Sequence, residues 1–173
     1  LILGEGLDAC SLAPLVRGGT GSRSEAELQP DDLPDRYESG TLNAVGIVGL
    51  GAGVRYVQAR GVEAIRAHEV RLIRALREGL AAIPGVSLYG PPEADQSAAV
   101  VSFTASGRSV SDLGLQLDED YDILCRVGLH CSPASHRTIG TFPDGTVRFA
   151  PGPFTRIEDI NAAVTAVERL VGS

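Results

Sequence analysis

Lysine and methionine are missing from all 173 residues. The 15 basic side chains are therefore all arginine, and any chemistry that rests on a lysine amine is excluded from this chain. Without methionine there is no initiator residue, and Leu1-Ile-Leu3 reads as the end of a strand with no targeting segment before it, so the expectation is a protein truncated at its start. A mature domain whose leader has been removed, from an organism that favours arginine over lysine, is the alternative. No apolar run reaches the roughly 18 residues that a transmembrane helix needs. A formal net charge of -7 argues against a nucleic-acid backbone or an anionic membrane surface as partner. Cysteine is scarce and odd in number. Cys10, Cys125 and Cys131 make neither a disulfide framework nor a zinc-ligand spacing, so no metal site is expected and a reducing, cytoplasmic setting is.

What is present is the composition of a globular chain, 43% hydrophobic and 21% charged, with the length of one domain able to bury roughly 70% of its unfolded surface. Leu12 to Val16 is a short apolar link into Arg17-Gly-Gly-Thr-Gly-Ser22, whose backbone N–H groups can form an anion-holding nest or serve only as a turn. Residues 23–40, polar and proline-bearing, read as an extended surface loop. Glu38 to Asn43 then leads as a polar cap into a helix that runs through Val57. Ser39, Gly40 and Thr41 fall at its N-terminus, where free N–H groups and the positive dipole end favour an anion, or where an ordinary cap suffices. Gly46, Gly49, Gly51 and Gly53 each cost that helix about 1 kcal/mol against alanine, so it is expected to lie buried against a sheet or a second subunit.

From Val62 onward Ile65, Leu72, Ile73, Leu76, Leu80 and Ile83 recur at helical spacing, with Arg66, His68, Arg71, Arg74 and Arg77 read as a solvated face and Pro84-Gly85 as the stop. Strands follow at 86–89 and 98–104, a helix at 109–118 capped by Ser109, and strands at 121–127 and 146–149. A last helix starts from a capping box, Thr155 with Glu158, and carries Ile157, Ile160, Val164, Val167 and Val171 on one face. That order describes an α+β domain, a small, mainly antiparallel sheet covered by helices.

The densest chemistry lies in Arg126-Val-Gly-Leu-His-Cys131-Ser-Pro-Ala-Ser-His136, which holds a thiol, two imidazoles and a guanidinium. Gly128 and Pro133 break the preceding strand into a loop, so Cys131 is presented rather than packed. A nucleophilic cysteine needs access and nearby positive charge or a hydrogen-bonding base. His130, His136 and Arg126 meet that need only if the loop curls back. Cys125, in an apolar run, reads as buried filler, and Cys10 as either filler or surface. A Cys-His protease dyad joins residues distant in sequence and fits poorly, which leaves an ordinary loop cysteine as the bland reading.

Four pieces, Arg17-Gly-Gly-Thr-Gly-Ser22, Tyr37 to Leu50, Arg126 to Cys131 and Val147-Arg-Phe-Ala-Pro151, stand in the order seen in cysteine desulfurases. Over nearly its whole length the chain resembles these class V aminotransferase-family enzymes, which use pyridoxal phosphate (PLP). The resemblance implies the C-terminal domain of PLP fold type I. It makes residues 1–42 the end of the large cofactor domain with dimer-contact loops, 43–60 a glycine-rich connecting helix and 61–173 the small domain. It implies that Cys131 takes the sulfur of L-cysteine as a persulfide, releasing alanine, that Arg148 holds the substrate carboxylate, and that Arg126 and His130 support the substrate. Gly40 and Thr41 would reach the PLP phosphate of the dimer partner, with Gly18, Gly19 and Thr20 in a second loop nearby. A homodimer and a sulfur-acceptor protein follow as expected partners. In that family the lysine that binds PLP lies upstream, so this chain alone is expected to be inactive. Another class V lyase or epimerase, with Cys131 incidental, is one alternative. A non-catalytic dimerisation or binding domain is the other.

Overall fold

The computed structural model describes residues 2–23 and 25–172. It divides into two units, Leu1–Tyr56 and Val57–Ser173. In the first, polar residues, glycine and proline alternate too closely for long elements, and before residue 44 the described residues form two 3-10 turns, Ala9–Ser11 and Asp35–Tyr37. Hydrogen bonds replace an apolar core there. Arg36 Nη2 donates to the carbonyls of Cys10 and Leu12 at 3.0 Å each and its guanidinium pairs with Asp31, while the Tyr37 hydroxyl donates to the carbonyls of Ala9 and Leu12. Of the strand end expected at the start, Leu1 lies outside the described residues, and Ile2 and Leu3 are not in a strand. Ser24, within the expected loop, also lies outside them.

Helix α1, Ala44–Arg60, is capped by Asn43, whose Oδ1 accepts from the N–H of Gly46 at 2.9 Å. Ser39, Gly40 and Thr41 therefore lie in the turn before the helix and do not cap it, a correction that follows from Asn43 satisfying one of the free N–H groups of the first turn. Of the two expected covers for this helix, a sheet or a second subunit, the chain itself supplies no sheet among the described residues. None of its residues is buried, Val45 is 85% exposed, and nothing among the described residues stands within 4 Å of a side chain added at Gly49 or Gly53.

Gly61, at φ 85, opens helix α2, Val62–Ala81. The apolar stripe forms as its spacing requires: Leu72, Ile73, Leu76 and Leu80 are buried, and burying each contributes about 1.5–3 kcal/mol. Strands β1 (Val86–Tyr89), β2 (Val101–Ala105), β3 (Arg126–Gly128) and β4 (Thr146–Phe149) make one antiparallel sheet in the order β1-β2-β4-β3. Helices α3 (Val110–Tyr121) and α5 (Ile157–Gly172) join α2 over one face, where Phe103, Val147, Leu113, Leu117 and Val167 are sealed from solvent. A short helix α4, Pro133–Thr138, follows the cysteine loop and is absent from the periodicity. Residues of opposite parity, Ser102, Thr104, Thr146 and Arg148, belong to the other, polar face, because side chains alternate along a strand.

Several boundaries shift. The run 121–127 is not one strand: Tyr121 ends α3, and Asp122 at φ 55 closes that helix while the Ile123 N–H returns to the Leu117 carbonyl at 2.9 Å. Only Arg126 to Gly128 then pairs, and Ile123 and Cys125 pack as half-buried apolar groups at the core edge. His68, expected in solvent, is half-buried and its Nε2 donates to the Thr155 carbonyl at 2.9 Å. Arg66 likewise donates to the carbonyls of Asp95 and Ser97. The capping box does not form as expected. Thr155 accepts from the Gly152 N–H, and Asp159, not Glu158, reaches back to the Arg156 N–H at 2.8 Å, because helix α5 begins only at Ile157.

Candidate active site

The loop after β3 is built by its backbone. Gly128 has φ 95, and His130 and Cys131 follow in the left-handed region at φ 51 and φ 60. Two such non-glycine residues cost on the order of 1–3 kcal/mol each and persist only where their surroundings impose them. Here the surroundings do. Ser132 N–H donates to the Leu129 carbonyl at 2.8 Å, the N–H groups of Thr141 and Phe142 converge on the His136 carbonyl, and Gly145 N–H donates to Thr141 at 2.7 Å. At the neck of the loop a side chain at Gly145 would stand 2.1 Å from the Gly128 carbonyl, so the two backbones touch. The result is the backward curl that the chemistry needs: Arg126 Nη2 donates to Cys131 Sγ at 3.3 Å, and the thiol is exposed.

His130 turns toward the sheet. Its Nε2 shares a 3.1 Å hydrogen bond with Thr146 Oγ1, a fully buried hydroxyl, and its Nδ1 is buried with no partner among the described residues. Burial, then the electrostatic influence of the neighbouring Arg148, His136 and Arg126, pushes its imidazole below the usual histidine range and favours the neutral ring. His136 lies 5.6 Å away, ring centroid to ring centroid, is itself buried, and shares a 2.7 Å hydrogen bond with Thr141 Oγ1. It fastens the loop from inside and is not bonded to the thiol. Thr141 and Thr146 were not singled out in the sequence. Only the alternation that puts Thr146 on the face of Arg148 pointed to either.

Arg148 sits on an inner strand, directly opposite Arg126 on β3 and Ser102 on β2. Like charges at paired positions destabilise a sheet. No acidic side chain relieves them: the ion pairs among the described residues are Arg23–Asp32, Arg36–Asp31 and Arg156–Asp159. Arg148 is half-buried, with Nε sealed from solvent and unpartnered. A planar fork of donors in that condition suits a carboxylate.

In the first unit the two glycine loops meet. Gly40 N–H donates to the Gly19 carbonyl at 2.8 Å, with Gly40 at φ 80, and Gly18 N–H donates to Gln29 Oε1 at 3.2 Å. Gly18, Gly19, Thr20 and Gly21, with Arg23, line a hollow of about 270 Å³, and Thr20 and Ser22 hydroxyls share a 2.9 Å bond at its side. Arg23 pairs with Asp32, and the N–H groups of Gly18 and Gly40 already donate within the first unit, so the Thr20 hydroxyl and the remaining glycine-loop N–H groups are what the hollow offers to the phosphate end of PLP. Its covalent end does not fit, since this chain offers no lysine for a Schiff base. Thr41 follows in the same turn, exposed. Among the described residues no cluster of three or more histidine, cysteine or acidic side chains could hold a metal, and no helix is long and apolar enough to cross a membrane.

Helices over an open four-stranded antiparallel sheet match the PLP fold type I of cysteine desulfurase structures. The family described as aminotransferase class-V matches residues 8–163, and the chain belongs to that family. It is 32% identical over 92% of its length to a probable cysteine desulfurase of Pyrococcus abyssi, covering 39% of that protein. To probable cysteine desulfurase 2 of Mycobacterium leprae it is 35% identical over 79% of the chain and 32% of the relative. Among solved structures it is similar to the apo cysteine desulfurase of Thermococcus onnurineus NA1, with a TM-score of 0.75 and 34% identity over 80% of this chain and 34% of that one. It is also similar to the cysteine desulfurase CsdA of Escherichia coli, with a TM-score of 0.78 and 25% identity over 92% and 39%. The chain thus spans 32% to 39% of the length of these relatives.

Proposed function

We propose that the chain is part of a PLP-dependent cysteine desulfurase that converts L-cysteine to L-alanine and carries the sulfur as a persulfide on Cys131. One observation carries this reading: an exposed thiol held by one arginine, opposite a second arginine whose buried Nε has no partner. The names of the relatives support it. Arg148 binds the substrate carboxylate, Cys131 attacks the substrate sulfur, and His130 lines the site as a neutral ring. The new S–S bond forms as the C–S bond breaks. The electron pair of that bond stays with Cβ, which takes a proton, so L-cysteine and the thiol become L-alanine and the persulfide.

Bound PLP would supply the electron sink that makes the C–S bond breakable. Gly40 and Thr41 would hold the PLP phosphate of the dimer partner, with Gly18, Gly19 and Thr20 in a second loop nearby, and the lysine for its aldehyde would come from elsewhere in the protein. Residues 1–42 then end the cofactor domain, 43–60 connect, and 61–173 form the small domain. The chain alone is inactive. A sulfur-acceptor protein collects the persulfide, and a reducing cytoplasm suits the three free thiols.

The test is the intact protein that contains this chain, given PLP and L-cysteine. Alanine and, with a reductant, sulfide are expected in equal amounts, and Cys131→Ala should remove most of both. Undiminished alanine formation by that variant would sink the assignment.

A further inference from the structure

We infer that Arg126 serves the sulfur and not the substrate carboxylate: it is a positioning residue that holds Cys131 Sγ, and then the persulfide sulfur, beside Arg148. This rests on the desulfurase reading and departs from the family resemblance, which groups Arg126 with the substrate.

Three observations separate the two arginines. Arg126 donates to Cys131 Sγ at 3.3 Å, and no other hydrogen bond or ion pair of its guanidinium occurs among the described residues. Arg148 has no bond to the thiol, and its buried Nε is unpartnered. The two are paired directly across β3 and β4, so each guanidinium needs an anion of its own. The loop geometry decides which anion goes where. Consecutive left-handed residues, His130 and Cys131, turn the chain back so that Sγ returns to the residue five positions earlier. A turn that strained is retained because its end point matters.

Chemistry favours the same division. A guanidinium is delocalised and weakly hydrated, which suits a polarisable sulfur anion that also has to leave. Negative charge remains on sulfur when the thiolate has become a persulfide, so the same donor can follow it. Arg126 stands on the edge strand and is exposed, within reach of an incoming acceptor, whereas Arg148 is on an inner strand and half-buried.

The experiment compares the intact PLP-loaded protein with its Arg126→Gln, Arg126→Lys, Arg148→Lys and Arg137→Gln forms, checked for unchanged thermal unfolding. Alanine formation is measured against L-cysteine concentration, and the Cys131 persulfide by intact mass in a single turnover. Loss of a sulfur-positioning group should lower kcat by about tenfold in Arg126→Gln with KM changed less than about twofold, since the missing contact acts on the reacting sulfur and not on substrate binding. Arg126→Lys should recover part of that kcat. Arg148→Lys should instead raise KM, and Arg137→Gln, whose guanidinium stacks on Phe142, should match wild type. A raised KM with intact kcat in Arg126→Gln would overturn the inference, as would no change in either.

Alkylation by iodoacetamide needs no turnover and separates this inference from the reading beneath it. Cys131 should react several-fold more slowly in Arg126→Gln, about the effect of losing one charge-assisted hydrogen bond, with exposed Cys10 as the unchanged internal reference. Equal Cys131 rates would overturn the pairing. If wild type forms no persulfide at all, the desulfurase reading fails, and the alkylation rates still judge the Arg126–Cys131 contact.

Discussion

His130 ties the chemistry of the site to its stability. Its folded-state ring loses protons more readily than the ordinary value of 6.5, first from burial and then from Arg148, His136 and Arg126. Between the two values the unfolded chain binds more protons than the folded one, so stability rises with pH there. The contribution is fully present above about 6.5 and is lost as pH falls through the folded-state value. Urea midpoints measured from pH 8 down to pH 5 should therefore drop below about 6.5, and His130→Gln should flatten part of that drop. An equal drop in the variant would assign it to other groups. At this scale Cys131 was legible, because a cysteine between glycine and proline signals is presented whatever surrounds it. The roles of the two histidines were not. Their partners, Thr146 and Thr141, lie 16 and 5 positions away and meet them only after the sheet and loop have closed.

The cysteine loop depends on two glycines as much as on its thiol. Gly145, at φ 84, has no room for a side chain against the Gly128 backbone, so neither a rotamer change nor a small shift can relieve Gly145→Ala. That variant should lose more than about 2 kcal/mol of stability and, in the intact protein, most of its turnover. Gly114 in α3 offers a graded comparison. Its added methyl would meet Val127 Cγ1 at 2.4 Å, a side chain that can give way. Overpacking costs typically about 1–3 kcal/mol, and the better helix propensity of alanine returns up to about 1. Denaturant midpoints should therefore rank wild type above Gly114→Ala and Gly114→Ala above Gly145→Ala, and a reversed order would contradict the neck contact. The stripes of α2 and α5 were readable in advance because a period near 3.6 is local. The split of 121–127 between a helix end and a three-residue strand was not, since apolar residues suit either and the left-handed closure at Asp122 decides it.

Among the described residues, the buried apolar core begins at Leu72. The second unit, Val57–Ser173, therefore holds the hydrophobic driving force, while residues 2–43 rely on hydrogen bonds that water can replace. A fragment of residues 57–173 should unfold cooperatively, with one calorimetric transition, and keep the alkylation rate that Cys131 has in the 173-residue chain. A non-cooperative melt would place part of the core's support in the first unit. By itself the sequence determined what repeats or stands out locally: the helical stripes, the α+β order, the thiol in its loop and the lack of a lysine to bind a cofactor. Tertiary structure alone decided which guanidinium touches the sulfur, which is left to wait for an anion, and that α1 meets no cover within the described residues. Periodicity is a property of neighbours along the chain, whereas a hydrogen bond at 3.3 Å across a curled loop exists only once strand register and backbone handedness have set where each side chain ends.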